Sequence, residues 1–514
     1  MAIMPPIVRS KQLRSYYDFR GGLNTDAAPD HVADNELVIA ENVDLLERGG
    51  IKKRNGTVKL NQEPYGAPVE QLIEWPRDNG EEWLLAVIGN QLCRIREDQG
   101  YEAQQLATVA AQKVGHFFLQ DRFYFVDGES YRVYDGETVE DVQPVEEQDN
   151  DLSPIRRCRF LVRHSNSYRI FAAGDPQNAS AIYYSEPNEP GHFKSYSVLH
   201  PTTGDGPVTA LFVFGDALLV FYEHSVWVWR GIDPEQDAVW YKIPTGVGTV
   251  APDSIALTPN SLTFLGRSGI YAMSPAALGF DVTIQPGEGV ITNLARNKVE
   301  QLVRSMADPS KASAIFDAQN QRYMLAYTSD VGVRNNRILV FDWSVGGFTE
   351  YTGLSCNDLL CRLDGRVLGA INQYIIQFGV GYREHTGEPI NMVARTKQFN
   401  LDYPFHKKNL LRLFCSFKQP GIGLETTEIT LRLFVDDILR AEILESALYP
   451  NFVWGISKWG EIWGFRNTIT TRTRIYGKGH RVQVEFRNDQ LDDPTTIYGI
   501  GFEFRPSRAK GRLL

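Results

Sequence analysis

The middle of the chain repeats one pattern, in which a short apolar run is followed by a turn containing Gly or Asp and then by a second apolar run. The pattern occurs at 211–221, 263–271 and 361–369. Short alternating runs rich in aromatic and β-branched residues, separated by turn residues, are typical of strands joined in hairpins. The pattern therefore predicts an all-β protein.

These strand clusters follow one another in about seven units of roughly 30 to 60 residues. Similar units in series predict a β-propeller of about seven blades over residues 63–388, because a small sheet is marginal in water until neighbouring sheets cover it. A pair of β-sandwiches is the alternative architecture. The units are Val69–Ile95, Val114–Tyr134, Cys158–Ser185, Val208–Tyr241, Ser254–Met273, Ala314–Tyr351 and Leu359–Phe378.

Two segments interrupt the series. Residues 135–151 contain eight carboxylates and no basic residue, and they lack the spacing of a calcium loop, so a solvated loop is expected. Residues 293–308 place apolar side chains on one helical face and are followed by Pro309, which predicts an inserted helix near 293–308.

Residues 389–514 have longer and more clearly alternating strands. Such alternation is typical of a sheet with one buried and one solvated face. We expect a separate C-terminal β-sandwich or barrel domain, with an aromatic loop at 449–465. Its predicted strands are Met392–Phe399, Leu410–Phe417, Glu428–Val435, Val482–Phe486 and Tyr498–Arg505.

Residues 1–62 form a predicted N-terminal arm. Gly21 and Gly22 indicate a tight turn, and Asp34 is a plausible N-cap for a short helix. Gly49 follows that helix, and Asn55-Gly56 predicts a hairpin turn.

The arm, with its Asn42-Val43 pair and Arg54-Asn-Gly-Thr57, resembles the start of the tail nozzle, hub or packaged-DNA stabilisation proteins of short-tailed bacteriophages. The closing run from Ile500 to Arg512 resembles their end. The resemblance covers the two ends, while the middle matches by pattern only. Residues expected to anchor the arm structurally are Gly21, Gly22, Asn42, Gly49, Arg54 and Gly56.

The resemblance implies a structural protein of the virion tail, made and assembled in the host cytoplasm. It implies a homo-hexameric ring below the portal and its adaptor, in contact with other tail proteins. The ring would form a channel that retains packaged DNA and conducts it during genome ejection, without sequence-specific binding. The alternatives are a receptor-binding or tail-tip protein of a phage, and a β-propeller hydrolase or lyase.

Two groups of residues are candidate contacts with neighbouring subunits or tail partners. Three Trp and a Phe in the 449–465 loop exceed what so short a segment buries on its own, although they could instead cover the end of their own domain. Basic residues near the C-terminus form local positive regions, although basic strands are often ordinary solvated faces. The candidates are Trp454, Trp459, Trp463, Phe465, Arg472, Arg474, Arg505 and Arg508.

The formal net charge is -10, which argues against a protein that binds nucleic acid by neutralising phosphates. Five scattered cysteines indicate reduced thiols in a cytoplasm-folded chain. The start of the chain lacks the apolar core of a signal peptide, and a continuous apolar run long enough for a transmembrane helix is missing, so we expect a soluble protein that does not insert into membranes.

Motifs of catalysis are missing from the sequence. It contains neither a phosphate-binding G-x-x-x-x-G-K-[ST] loop, nor a G-x-S-x-G nucleophile elbow, nor an H-E-x-x-H metal helix. The nine histidines are dispersed. We therefore predict a protein that is not an enzyme, without catalytic, cofactor-binding or metal-binding residues, while a funnel site assembled from distant loops stays open.

Overall fold

The structure is a computed structural model that describes residues 10–202, 204–236, 239–259, 261–274, 291–329, 334–418, 426–448 and 468–507. This part of the chain is all-β, as predicted, with only short helices. The two α-helices within it are α1 (Ser153–Arg157) and α2 (Glu300–Arg304).

The N-terminal strands are distributed over three sheets instead of forming a unit of their own. Three of them join a six-stranded sheet with C-terminal strands, two join a ten-stranded sheet, and the last one completes a sheet of the middle region. They are β1 (Gln12–Tyr16), β2 (Gly22–Leu23), β3 (Glu36–Glu41), β4 (Val43–Leu45), β5 (Ile51–Lys53) and β6 (Thr57–Lys59).

The middle region folds into small antiparallel sheets of the kind that form propeller blades, and we number these sheets as blades in chain order. Blade 1 comprises β7 (Val69–Pro76), β8 (Glu82–Ile88), β9 (Gln91–Arg96) and β10 (Glu102–Thr108). Blade 2 comprises β11 (Gly115–Leu119), β12 (Arg122–Val126), β13 (Tyr131–Tyr134) and β14 (Val139–Asp141). Blade 3 comprises β15 (Phe160–Arg163), β16 (Ile170–Ala173), β17 (Ile182–Tyr184) and β18 (Val198–Leu199).

The later blades repeat this four-strand arrangement, and blade 7 takes its outermost strand, β6, from the N-terminal arm. Blade 4 comprises β19 (Ala210–Phe214), β20 (Ala217–Phe221), β21 (Val226–Arg230) and β22 (Val239–Lys242). Blade 5 comprises β23 (Ala256–Thr258), β24 (Ser261–Gly266), β25 (Gly269–Met273) and β26 (Ile291–Asn293). Blade 6 comprises β27 (Ser313–Asp317), β28 (Arg322–Tyr327), β29 (Arg337–Asp342) and β30 (Gly347–Thr352), and blade 7 comprises β31 (Cys356–Cys361), β32 (Val367–Ile371), β33 (Tyr374–Phe378) and β6.

Each blade buries an apolar face against the next one. Aromatic and aliphatic side chains form a shared core between each successive pair from blade 1 to blade 7. The last blade also packs on the first, because Leu368 and Ile375 lie in one apolar cluster with Val69 and Leu84. Removing this apolar surface from water is the main force holding the small sheets together.

The C-terminal strands form two sheets around a common apolar core. Inward-facing residues of β35, β36, β39 and β40 all belong to that core. Asp436 and Asp437, both with positive φ, form the tight turn between the two longest paired strands of the ten-stranded sheet. The strands are β34 (Met392–Thr396), β35 (Lys408–Lys418), β36 (Thr426–Val435), β37 (Ile438–Leu448), β38 (Thr468–Gly479), β39 (Val482–Asn488) and β40 (Thr496–Pro506).

The C-terminal strands share both of their sheets with strands of the arm. In the ten-stranded sheet, blade 6 continues through β2 and β3 of the arm into β34, β39, β36 and β37. In the six-stranded sheet, β1, β4 and β5 pair with C-terminal strands or with each other. The arm therefore joins the blades and the C-terminal sandwich into one hydrogen-bonded structure.

The predicted helix at the start of the arm is wrong, because residues 36–41 form strand β3. Leu37 and Ala40 are both buried, a spacing that suggests a helix. The strand instead contains a β-bulge between Leu37 and Ile39, which inserts one extra residue and turns both side chains to the same side. The adjacent Val38 and Ile39 also favour a strand.

The predicted hairpin at Asn55-Gly56 is also wrong, because the flanking strands β5 and β6 pair with different sheets. The arm's hairpin lies earlier, where Gly49 and Gly50 close the turn between β4 and β5. The inserted helix near 293–308 is present but shorter, since α2 spans only Glu300–Arg304.

Candidate functional site

Two residues of the arm motif, Asn42 and Arg54, lie in a buried polar cluster where the arm, blade 6 and the sandwich meet. Arg54 is 1% exposed and donates from Nε to Oδ1 of Asn42 at 2.8 Å and from Nη2 to Glu384. Asn42 donates through Nδ2 to Oγ1 of Thr352 at 2.9 Å and to the carbonyl oxygen of Asn391 at 2.8 Å. We call these five residues the arm lock.

The arm lock satisfies groups that would be costly to bury alone. Burial raises the pKa of Glu384, and the guanidinium of Arg54 opposes that rise by favouring the carboxylate. The Asn42 amide accepts from Arg54 and from the backbone N–H of Thr352, so its oxygen serves two segments that are distant in sequence. Such a network fixes the path of the arm because every partner loses a hydrogen bond if the arm shifts.

Two arm glycines are required by close contacts between backbones. A Cβ on Gly56 would lie 2.2 Å from the carbonyl oxygen of Arg383, and a Cβ on Gly22 would lie 2.5 Å from that of Phe348. Gly22 also has φ +67°, a conformation that side chains with a Cβ disfavour. Gly21 and Gly49 have comparable backbone neighbours at 2.8 and 2.6 Å. The glycine motif therefore allows the arm to lie flush against blade 6 and the linker after blade 7.

A second buried cluster next to the lock ties the arm to blade 6. Asp44 accepts from Oη of Tyr351 at 2.5 Å and from Nη1 of Arg322 at 2.9 Å. Burial raises the pKa of Tyr351, and the Asp44 carboxylate raises it further. The phenol therefore stays a hydrogen-bond donor.

Lys53 carries the same contact into the sandwich. Its Nζ donates to Oδ1 of Asn488 at 2.7 Å and to the carbonyl oxygen of Gln490 at 2.8 Å. Burial lowers the pKa of Lys53 to about 8, and the nearby carboxylates of Asp493 and Asp489 offset only part of this effect.

A polar cavity of about 640 Å³ opens where loops of several blades converge, and we call it the central mouth. Lys113 lines it, with Nζ 3.0 Å from Asp253 and 3.0 Å from Asp358. Although burial works against the charge, the two carboxylates raise the pKa of Lys113 above its usual value. Other charged or amide residues lining the cavity are Glu70, Gln112, Asp127, Arg157, Arg159, Lys311, Arg334, Asn335 and Asn357.

Asp358 connects further blades at the same point. It accepts from the backbone N–H of Leu72 in blade 1 at 2.8 Å and from the hydroxyl of Ser313 in blade 6 at 2.7 Å. Together with Lys113 before blade 2 and Asp253 before blade 5, this carboxylate links five blades. These residues are far apart in sequence, so local spacing gave no signal for them.

Most charges of the central mouth are already paired within the chain. Arg334 contacts Glu70 at 3.2 Å, and Arg157 donates to both oxygens of Asp175 at 3.0 and 2.8 Å. In the described ranges, clusters of His, Cys, Asp and Glu suited to hold a metal ion are not found. The paired charges of the central mouth therefore link the blades to one another.

The candidate contact residues of the C-terminal region separate into two sets. Arg472 and Arg474 point outward from β38, and Arg505 is exposed on β40 of the same sheet. Trp454, Trp459, Trp463, Phe465 and Arg508 lie outside the described residues.

Two sequence expectations concern cysteines and membranes. Within the described residues all five cysteines are free thiols, four of them buried. The helices of that same part are too short or too polar to cross a bilayer.

No family model and no curated protein matches the chain. Solved structures with a similar course of the chain share little sequence with it. The WD40 domain of Neurospora crassa Pan2 is 11% identical, with 64% of this chain and 95% of that chain covered and a TM-score of 0.39. Virginiamycin B lyase from Staphylococcus aureus is 13% identical, with 63% and 99% covered and a TM-score of 0.42. PorZ, a surface component of the type-IX secretion system of Porphyromonas gingivalis, is 14% identical with a TM-score of 0.39, and the match covers 69% of this chain but only 44% of PorZ.

Proposed function

We propose that this chain is a structural component of a bacteriophage tail, a nozzle or hub that forms a homo-hexameric ring below the portal and its adaptor. The ring retains packaged DNA and conducts it out during genome ejection. The protein catalyses no reaction and acts as a rigid channel wall. It is assembled in the host cytoplasm and resides in the virion.

The observation that carries this proposal is the arm lock. The residues that resemble the phage proteins, Asn42 and Arg54, are those that bury a polar network between the blades and the sandwich. A channel component must transmit force between its parts without opening, and a continuous sheet with a locked arm supports that task.

We propose that the blades form a closed seven-bladed β-propeller. The packing of blade 7 on blade 1 supports closure, and so does β6, which brings an N-terminal strand to the last blade. Joining the chain's beginning to its last blade protects an edge and resists opening of the ring of blades.

The electrostatics support passage of DNA without adhesion. The chain carries a formal net charge of -10. A surface of such a chain that faces DNA binds few phosphates unless Lys and Arg side chains are concentrated there. The pairing of Lys113 with two carboxylates also leaves the central mouth poorly suited to hold a polyanion.

The proposal is tested with antibodies raised against the purified chain and applied to particles of the phage encoded in the same genome. Gold label at the junction of head and tail, seen by negative-stain electron microscopy, supports a nozzle or hub. Label at the distal tip supports a receptor-binding protein instead. Lack of label on particles, combined with turnover of a small substrate by the purified chain, supports the propeller hydrolase or lyase.

A further inference from the structure

The outer face of the six-stranded sheet carries a group of exposed basic side chains, which we call the basic face: Arg472, Arg474, Lys478 and Arg505. The strand register places them together. Asn409 lies between Lys478 and Arg505 on the neighbouring strands. The next row of side chains on the same face consists of Arg474, Arg412 and Glu503. The basic face is therefore one surface on neighbouring strands.

The four members of the basic face have no ion pair with a described carboxylate. Glu503, the acidic residue in their midst, is already shared by Arg412 at 2.8 Å and Lys11 at 3.1 Å. On the ten-stranded sheet, by contrast, Arg432 and Arg487 both contact Glu485.

The opposite charge is concentrated in residues 135–151, which we call the acidic loop. All eight of its carboxylates are exposed, and within the described residues none forms an ion pair with Lys or Arg. These residues comprise the turn between β13 and β14 of blade 2, β14 itself and the connection that leads from β14 toward α1 and blade 3. Its carboxylates are Asp135, Glu137, Glu140, Asp141, Glu146, Glu147, Asp149 and Asp151.

The topology keeps the two charged surfaces apart within one chain. The sandwich is attached through blade 6, whose sheet it continues. In a closed circle of seven blades, blades 2 and 3 are each three steps from blade 6, which is the greatest separation available. In the proposed closed propeller, the sandwich that carries the basic face and the blades that carry the acidic loop therefore lie on opposite sides.

We propose that the basic face of one copy docks on the acidic loop of the next copy and forms a head-to-tail subunit interface. This inference rests on the proposed ring. A contact between two different surfaces of identical chains produces a closed ring when the rotation between copies closes. Complementary charge orients the partners and prevents the contact of like surfaces.

Two charge-reversed variants test this interface. The face-reversed variant carries Arg472→Glu, Arg474→Glu and Arg505→Glu, and the loop-reversed variant carries Glu137→Lys, Glu140→Lys and Glu146→Lys. A control with the same change of charge as the loop-reversed variant carries Glu63→Lys, Glu102→Lys and Glu388→Lys, all exposed and outside the acidic loop. Sedimentation velocity measures the mass of each at low and high salt, with the portal adaptor of the same genome present in every sample.

We expect wild type and control to form a six-fold species that weakens at high salt. Each reversed variant alone should associate at least about tenfold more weakly, because like charges then face each other. An equimolar mixture of the two should restore the six-fold species, since alternating copies again present opposite charges.

Two outcomes would overturn the inference while leaving the ring intact. The first outcome is that each reversed variant alone still forms the six-fold species. The second is that the equimolar mixture of the two variants does not restore it. Wild type that stays monomeric with the adaptor would instead contradict the ring itself. If the basic face binds DNA, only the face-reversed variant loses binding to a double-stranded oligonucleotide, and mixing the two variants does not change the measured mass. This result also overturns the inference.

Discussion

Nε of Arg54 donates a hydrogen bond of 2.8 Å to Oδ1 of Asn42 in a site where Arg54 is 1% exposed. The two residues are only twelve positions apart, yet their other partners come from distant parts of the chain. This bond is one of the contacts through which the arm links the blades to the sandwich.

Arg54→Ala should lower the free energy of unfolding by about 3–5 kcal/mol, because it leaves Glu384 buried without its cation. Arg54→Lys should recover only part of that loss, since an ammonium cannot replace the planar set of guanidinium donors. Denaturant unfolding followed by tryptophan fluorescence measures both.

The matched control for this prediction is Arg383→Ala. Arg383 lies in the same linker as Glu384 and pairs with Asp492, but its side chain is 52% exposed, so little change is expected. Equal effects of Arg54→Ala and Arg383→Ala would show that the arm lock does not stabilise the fold.

Gly56→Ala should destabilise the protein by about 1–3 kcal/mol, as overpacking does when backbone must move. The added Cβ would lie 2.2 Å from the carbonyl oxygen of Arg383. Gly66→Ala is the comparison, because a Cβ there meets no atom within 4 Å. Thermal unfolding of the two variants side by side checks this, and a Gly56→Ala protein as stable as Gly66→Ala would contradict the close approach.

Lys113→Ala should cost about 3–5 kcal/mol, because Asp358 then lies buried without a cation. Burial raises the pKa of Asp358, so its charge depends on Lys113. Adding Asp358→Asn to Lys113→Ala should recover part of the loss, since a neutral amide needs no counter-charge. A double-mutant cycle of urea unfolding measures this coupling, and strictly additive effects would refute the cross-link.

Lys53 should make stability rise with pH in the alkaline range. Its folded-state pKa of about 8 lies below the ordinary 10.5, so the folded protein releases this proton while the unfolded chain keeps it. Wild type should therefore gain on the order of 3 kcal/mol relative to Lys53→Met as the pH rises from about 8 to above 10. Lost hydrogen bonds to Asn488 and Gln490 add only a constant offset. Unfolding curves across that range check the slope, and a difference that stays flat would mean that the pKa of Lys53 is not lowered.

Most strands with a buried face could be predicted from the sequence. The predicted Leu410–Phe417 and Val482–Phe486 correspond to β35 and β39. Edge strands were missed, as with β37 and β38, because their outward positions hold Thr, Arg and Glu instead of an apolar stripe. A pattern of burial cannot reveal strands that bury little.

The contacts of the arm and of the central mouth could not be predicted, for a different reason. The bulge in β3 produces a helix-like spacing, and only the pairing partners show that it is a strand. Lys113, Asp253 and Asp358 meet only after the blades have packed, so their chemistry is absent from any local window. The glycines indicated tight geometry, but the neighbours that require Gly22 and Gly56 lie hundreds of residues away in the sequence.

Cryo-electron microscopy of the particles of the phage encoded in the same genome tests the central claim most directly. The proposal predicts six copies of the seven blades and the sandwich around the tail axis, directly below the adaptor, with the arm lock closed in each. Tail density that fits this chain only at the distal tip, or that lacks it altogether, would contradict a nozzle or hub.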